Sequence, residues 1–177
     1  MELVHATPKQ YLEELKSLYL EAFPKAERKP FSMLLQMEQE GIVEILAVVD
    51  EEQTFCGLAI MAFYEDLALL DYFAVSAKQR DRGIGSITLR LLKERYKEKR
   101  FFLEIEDPAV EASNKEERIR RKAFYLRNGM IPTSLVVDLF GIQMEILTFG
   151  QRIEYQEYHR LYEQFGKEIA DKIHLIS

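Results

Sequence analysis

The chain has 177 residues, 47% of them apolar and 31% charged, with a net charge of −6 at pH 7. That length suits one domain burying roughly 70% of its unfolded surface, so it needs no metal or disulfide staple to fold. The acidic balance argues against nucleic acid or anionic membrane as a partner. The single Cys56 excludes an internal disulfide and a Cys-rich zinc module.

No apolar run reaches the ~18 residues of a membrane span. Met1–Lys9 has no basic start followed by an apolar stretch, so no secretory signal is expected and the cytoplasm is the expected compartment. His5, His159 and His174 are scattered and fit no metal-ligand spacing, so no metal is expected.

In chain order, Glu2–Ala6 reads as a short edge strand. Pro8 suits the first position of a helix, where a missing N–H costs nothing. Tyr11, Leu15, Leu18 and Ala22 follow at helical spacing until Pro24. Pro30 opens a second helix with Phe31, Leu34 and Met37 on one stripe, ending at Gly41. Strands are predicted at Ile42–Val49, Phe55–Tyr64 and Leu67–Val75, the last almost wholly apolar, as a strand buried on both faces should be. These three read as an antiparallel meander.

A polar, glycine-bearing turn at Lys78–Gly85 leads into a helix to about Lys97, carrying Ile84, Ile87 and Leu91. A strand at Phe101–Glu106 follows. Strand, turn, helix and strand make a crossover, so Leu67–Val75 and Phe101–Glu106 should be parallel neighbours. Asn114–Asn128 reads as a charged helix with Ile119, Ala123 and Leu126 inward, stopped by Gly129. Leu135–Leu139 and Ile142–Phe149 form a hairpin around Phe140-Gly141. The tail places Tyr155, Tyr158, Tyr162, Phe165, Ile169, Ile173 and Ile176 at steps of three and four. That predicts an amphipathic helix, or two short ones jointed near Gly166, packed on the domain.

Chemistry concentrates in Arg80-Asp81-Arg82-Gly83-Ile84-Gly85-Ser86, between a buried strand and a helix. The first turn of a helix leaves about four N–H groups without partners, and its dipole adds roughly half a positive charge. A phosphate satisfies both. Gly83 and Gly85 let oxygen atoms approach the main chain, and Arg80 and Arg82 add charge. An ATP-binding loop would need Gly-Lys-Ser/Thr, and a dinucleotide fingerprint would need a third glycine where Thr88 stands.

These residues resemble the coenzyme motif of the GNAT superfamily of N-acetyltransferases, Arg/Gln-x-x-Gly-x-Gly/Ala. The preceding Leu70-Asp71-Tyr72-Phe73-Ala74-Val75-Ser76 is similar to that family's fourth strand. Ala123-Phe124-Tyr125-Leu126-Arg127-Asn128-Gly129-Met130 is similar to its second signature, an aromatic pair before a glycine. The resemblance runs from Glu2 to about Phe149 and is nearest to small bacterial members.

It implies an α/β fold with a mixed, mostly antiparallel sheet of six or seven strands, splayed between its fourth and fifth strands and flanked by helices. Residues 1–150 would be the acetyltransferase domain and residues 151–177 a C-terminal helical extension packed on it. It further implies acetyl-CoA as co-substrate, held by the main chain of Gly83, Ile84, Gly85 and Ser86 within the Arg80–Ser86 segment (Arg80, Asp81 and Arg82 included). The strand edge at Phe73, Ala74 and Val75 would accept the pantetheine arm as a pseudo-strand. The acceptor would be a small-molecule or peptide amine, and the protein a monomer or homodimer. A coenzyme-binding module without turnover and transfer of a longer acyl group are the alternatives.

A lysine-like amine has a pKa of ~10.4, so presenting it neutral at pH 7 costs ~4.6 kcal/mol and calls for a base. Asp71, Glu104 and Glu106 are the candidates. Glu104 sits deepest in its strand, and the two glutamates share a strand face. Asp71 could equally be a structural acceptor, and Glu106 a solvated strand end. By the resemblance, Tyr125 lies beside the coenzyme sulfur and protonates it, although Phe124 is the other aromatic able to face that point. Many members place an Asn about seven residues before this Tyr, whereas Asn114 is eleven before, which leaves the Asn role open. Arg118, Arg120, Arg121 and Lys122 read as a solvated helix face. Cys56 has no neighbouring His, which disfavours a covalent acetyl-cysteine route.

Overall fold

The computed structural model describes residues 1–7 and 10–177. Pro8, expected to open the first helix, lies outside the described residues. The fold is α/β and built on one mixed sheet. Its strands are β1 (Glu2–His5), β2 (Val43–Val49), β3 (Phe55–Tyr64), β4 (Leu67–Val75), β5 (Arg100–Glu106), β6 (Ile131–Leu139), β7 (Ile142–Thr148) and β8 (Ile173–Leu175), in the order β1-β2-β3-β4-β5-β7-β6-β8. The expected parallel pair is β4 with β5, whose ladder joins Leu67, Ala68 and Leu69 to Arg100, Phe101 and Phe102. By internal contacts the chain forms two compact units, Met1–Ala62 with Leu70–Arg95 and Phe63–Leu69 with Tyr96–Ser177.

In the first unit, β2 pairs antiparallel with β1 and β3, with a bulge between Val48 and Val49. Helix α1 (Leu12–Ala22) buries Leu12, Leu15, Leu18 and Tyr19. Tyr19 and Leu12 replace the expected Ala22 and Tyr11 on the inner stripe. Tyr11 instead precedes the helix with φ 66 and donates its hydroxyl to the Gln53 carbonyl. Helix α2 (Phe31–Gln39) starts after Pro30 as expected and buries Leu34 and Met37. Helix α3 (Ile84–Arg95) buries Ile84, Thr88, Leu89 and Leu92, and the Thr88 hydroxyl is satisfied by the Ile84 carbonyl at 2.9 Å.

In the second unit, β5 pairs antiparallel with β7, and β7 with β6 through the expected Phe140-Gly141 turn. Both turn residues have positive φ (57 and 84), and Asp138 Oδ1 accepts the Gly141 N–H at 2.7 Å. Helix α4 (Lys115–Arg127) corrects the expected orientation. Ile119 and Leu126 are 50% and 41% exposed, and Ala123 is exposed too. The inner stripe is one residue offset and polar: Arg118, Lys122 and Tyr125. The cause lies on the sheet, where Glu106 pairs with Arg118 at 2.6 Å and Glu145 with Lys122 at 2.6 Å. Two half-buried carboxylates outweigh an apolar stripe of three residues, because each would be costly to bury unpaired.

The tail is helical, with its joint at Gly166: α5 (Tyr155–Glu163) and α6 (Lys167–Ala170). It then departs from the helical expectation, because Ile173–Leu175 form β8 along β6. Three residues are too few for a period of two to be told from a period of 3.6. What decides is the open main chain of β6: Val136 exchanges bonds with Ile176 and Ser177 at 2.8–3.2 Å. This strand makes the sheet eight-stranded rather than six- or seven-stranded. Helix α5 is anchored by Arg100, which bonds Asp66 and Glu157 at 2.7–2.8 Å.

Candidate active site

The expected residues divide between the two units. The first unit holds Arg80–Ser86, the segment expected to bind the coenzyme. After β4, a 3-10 turn at Ala77–Gln79 leads to Asp81 (φ 62) and Gly83 (φ 74), and α3 begins at Ile84. Ile87 donates to the Gly83 carbonyl at 3.1 Å, which begins the helical ladder. The N–H groups of Gly83, Ile84, Gly85 and Ser86 therefore precede any helical acceptor. Arg80, Asp81, Arg82 and Gly83 are exposed, and a β-carbon at Gly83 would meet nothing within 4 Å. Arg82 is steadied by Gln79 Oε1 at 2.6 Å. This is a bare, donor-rich helix start with two arginines beside it, which fits a pyrophosphate.

The β4 edge at Phe73, Ala74 and Val75 is half-buried. Its path depends on Gly57, a position that sequence reasoning passed over. A β-carbon there would lie 2.5 Å from the Ala74 carbonyl oxygen and 3.2 Å from Val75 Cα. Ser76 N–H donates to the Cys56 carbonyl at 2.9 Å, closing the end of the strand. Val75 and Leu3 pack on a small core of Val48, Cys56 and Ile84, which ties the strand end to the first turn of α3.

Asp71 is an acceptor for a cation. Its Oδ2 lies 2.7 Å from Lys29 Nζ, and the two side chains are only 7% and 13% exposed. The Lys29 ammonium also sits 5.2 Å from the Tyr72 ring centre, and the Lys29 N–H donates to the Tyr72 hydroxyl at 3.0 Å. Tyr19, Phe23 and Tyr72 stack edge-on beneath it. Burial raises the Tyr19 phenol to about 12 and pushes the Tyr72 phenol up as well, where Asp71 adds to the effect. No local spacing in the sequence predicts Lys29 beside Asp71, because they lie 42 residues apart.

The second unit holds Glu104, Glu106 and Tyr125. Glu106 is not a solvated strand end. It accepts from Arg118 at 2.6 Å, Arg121 at 3.4 Å and Asn114 at 3.2 Å. Arg118, expected on a solvated face, has a side chain only 10% exposed. Glu104 accepts the Tyr162 hydroxyl at both oxygens, 2.7 and 2.8 Å away. Tyr162 was legible only as one member of the tail's aromatic stripe, and nothing in its spacing pointed at a carboxylate.

Tyr125, rather than Phe124, is the buried member of the aromatic pair. The rings meet edge to face with centres 5.2 Å apart. Burial raises the Tyr125 phenol to about 12, and Arg121 pulls it back slightly. No hydrogen-bond partner for its hydroxyl is present among the described residues. Those residues also contain no group of three or more His, Cys, Asp or Glu placed to hold a metal ion. No helix among them is long and apolar enough to cross a membrane.

A mixed sheet with one internal parallel pair, and a glycine turn leading from β4 into a helix, define an N-acyltransferase fold. The chain belongs to the acetyltransferase (GNAT) family, whose model matches residues 11–130, and so to the N-acetyltransferases. Among solved structures it is similar to a Bacteroides thetaiotaomicron protein described as an acetyltransferase of the GNAT family. That similarity has a TM-score of 0.77 at 21% identity and covers 96% of this chain and 99% of the other. An aminoglycoside 6'-N-acetyltransferase complexed with coenzyme A gives a TM-score of 0.64 at 13% identity, covering 87% and 100%. The spermidine N-acetyltransferase of Vibrio cholerae, in complex with CoA and spermine, gives 0.62 at 9% identity, covering 89% and 96%. At these identities the likeness concerns the fold. No curated protein sequence matches the chain.

Proposed function

We propose that the protein transfers an acetyl group from acetyl-CoA to a primary amine by direct attack in a ternary complex. The observation that carries this reading is the helix start at Gly83–Ser86, whose main-chain donors precede the first helical acceptor, with exposed Gly83 and the exposed Arg80 and Arg82 leading into it. The pyrophosphate rests there, and the edge of Phe73–Val75 takes the pantetheine amides. Residues 1–150 make up the acetyltransferase domain, and residues 151–177 its extension. Two similar folds are described with CoA, one of them also with spermine, which favours a small-molecule amine as acceptor.

Among the carboxylates, Glu104 is the base. Asp71 and Glu106 are each occupied by a cation, Lys29 and Arg118 respectively. Glu104 accepts the Tyr162 phenol at both of its oxygens, which orients the group beside the tail. It takes the proton of the amine. The amine nitrogen bonds to the thioester carbonyl carbon, and the carbon–sulfur bond breaks. The Tyr125 phenol gives its proton to the departing thiolate and is reprotonated from solvent, while Glu104 returns its proton to solvent. Cys56 takes no part: it is buried, and burial pushes its thiol up.

The test is calorimetry with CoA, followed by an amine panel scored for thiol release from acetyl-CoA. Micromolar CoA binding that is weakened at least tenfold in Gly83→Val, with thiol release for one or more amines, is the expected result. No heat with CoA overturns the assignment. Binding without release for any amine turns it into a coenzyme-sensing module.

A further inference from the structure

We infer that the C-terminal extension supplies a positioning residue for the acetyl-transfer site: Tyr162 holds the Glu104 carboxylate ionised and fixed in orientation. The inference rests on Glu104 acting as the base and deepens that reading by assigning the tail a role in it.

The bond is bifurcated, one hydroxyl serving both carboxylate oxygens at 2.7 and 2.8 Å. Tyr162 is 2% exposed, so water does not compete for the hydroxyl. Its ring is clamped by Tyr158 and Phe165, with centres 5.1 and 5.6 Å away. Tyr158 in turn packs on Phe102, one residue pair back along the same face of β5. Upstream, Arg100 fixes the start of α5 through Glu157, whose side chain also closes the capping box on Glu154. A phenol held this firmly fixes a carboxylate at little further cost in entropy.

From α5 the titratable groups on this side of β5 include Tyr162, bonded to Glu104, and Tyr158, packed on Phe102. On its own strand Glu106 lies two residues on, already neutralised by Arg118 and Arg121 of α4. From β7 the residue opposite is apolar Ile146. A donor hydrogen bond to a carboxylate favours its charged form, so loss of the phenol raises the pKa of Glu104. The base must be ionised to work, so the acidic limb of kcat/KM then moves to higher pH.

Tyr162→Phe removes only the hydroxyl. The expected result is an upward shift of the acidic limb by about one pH unit. The ¹³C-carboxyl titration of Glu104, assigned by its absence in Glu104→Gln, should shift by the same amount. CoA binding stays unchanged. Glu157→Gln serves as the control for tail docking: it lowers thermal stability and moves the limb less than Tyr162→Phe does. An unmoved carboxyl titration in Tyr162→Phe overturns the inference, whether or not an acceptor has been found. An unmoved limb, with turnover abolished in Glu104→Gln, overturns the positioning role and leaves the base assignment standing. Full turnover in Glu104→Gln overturns both.

Discussion

A phenol enclosed by protein ionises reluctantly, and Tyr125 is such a group, raised to about 12 by burial. It is therefore protonated across the working range of an enzyme and ready to donate. Tyr125→Phe is expected to lower kcat by about a hundredfold while the Kd for CoA, measured by calorimetry, stays within twofold. Because its pKa lies so high, Tyr125 imposes no basic limb below about pH 10. A basic limb in that region that disappears in Tyr125→Phe would contradict the role. The position of Tyr125 was legible in the sequence from the aromatic pair before Gly129. The outcome of its rivalry with Phe124 was not, because two adjacent helix residues differ by only about 100° in direction, and one residue of rotation decides which is buried. That rotation was set by Glu106 and Glu145, distant carboxylates that the spacing within α4 does not reveal.

Among elements, the strands and their order were the most readable part. β3 and β4 were bounded correctly from apolar runs and flanking turns, and the crossover from β4 to β5 followed from the turn and helix between them. What the runs could not show was why β3 carries a glycine in mid-strand. Gly57 leaves room for the Ala74 carbonyl, so the β4 edge proposed to take the pantetheine arm owes its path to a missing side chain on the neighbouring strand. Gly57→Ala forces backbone to move, at a cost of about 1–3 kcal/mol in stability. CoA affinity should fall at least tenfold, measured by calorimetry on the folded variant. Unchanged affinity would separate that edge from coenzyme binding. β8 was unreadable for a different reason: its partner, the outer edge of β6, is a feature of the assembled sheet and not of the tail.

For the molecule as a whole, the linked ionisations set a window of stability. Asp66 and Glu157 are both held below their ordinary values, 3.8 and 4.5, chiefly by hydrogen bonds from Arg100. Their contribution is full above those values and is lost as pH falls through the lower, folded-state ones. Tyr19 and Tyr125 are raised from 10.0 to about 12. Their contribution is full below 10 and is lost as pH rises towards 12. Urea unfolding should therefore give a broad plateau between about pH 5 and about pH 9, with a fall on each side. Arg100→Met should flatten the acid fall and leave the alkaline one intact. An acid fall of wild-type depth in that variant would remove Arg100 from the account.

The buried thiol of Cys56 has a practical corollary. It is the single cysteine, fully enclosed and raised in pKa, so disulfide-exchange dyes have no protein sulfur to attack while the fold is intact. The colour developed in a turnover assay then counts released coenzyme alone. The same silence makes the chain a clean background for placing a spin label or fluorophore through one introduced surface cysteine.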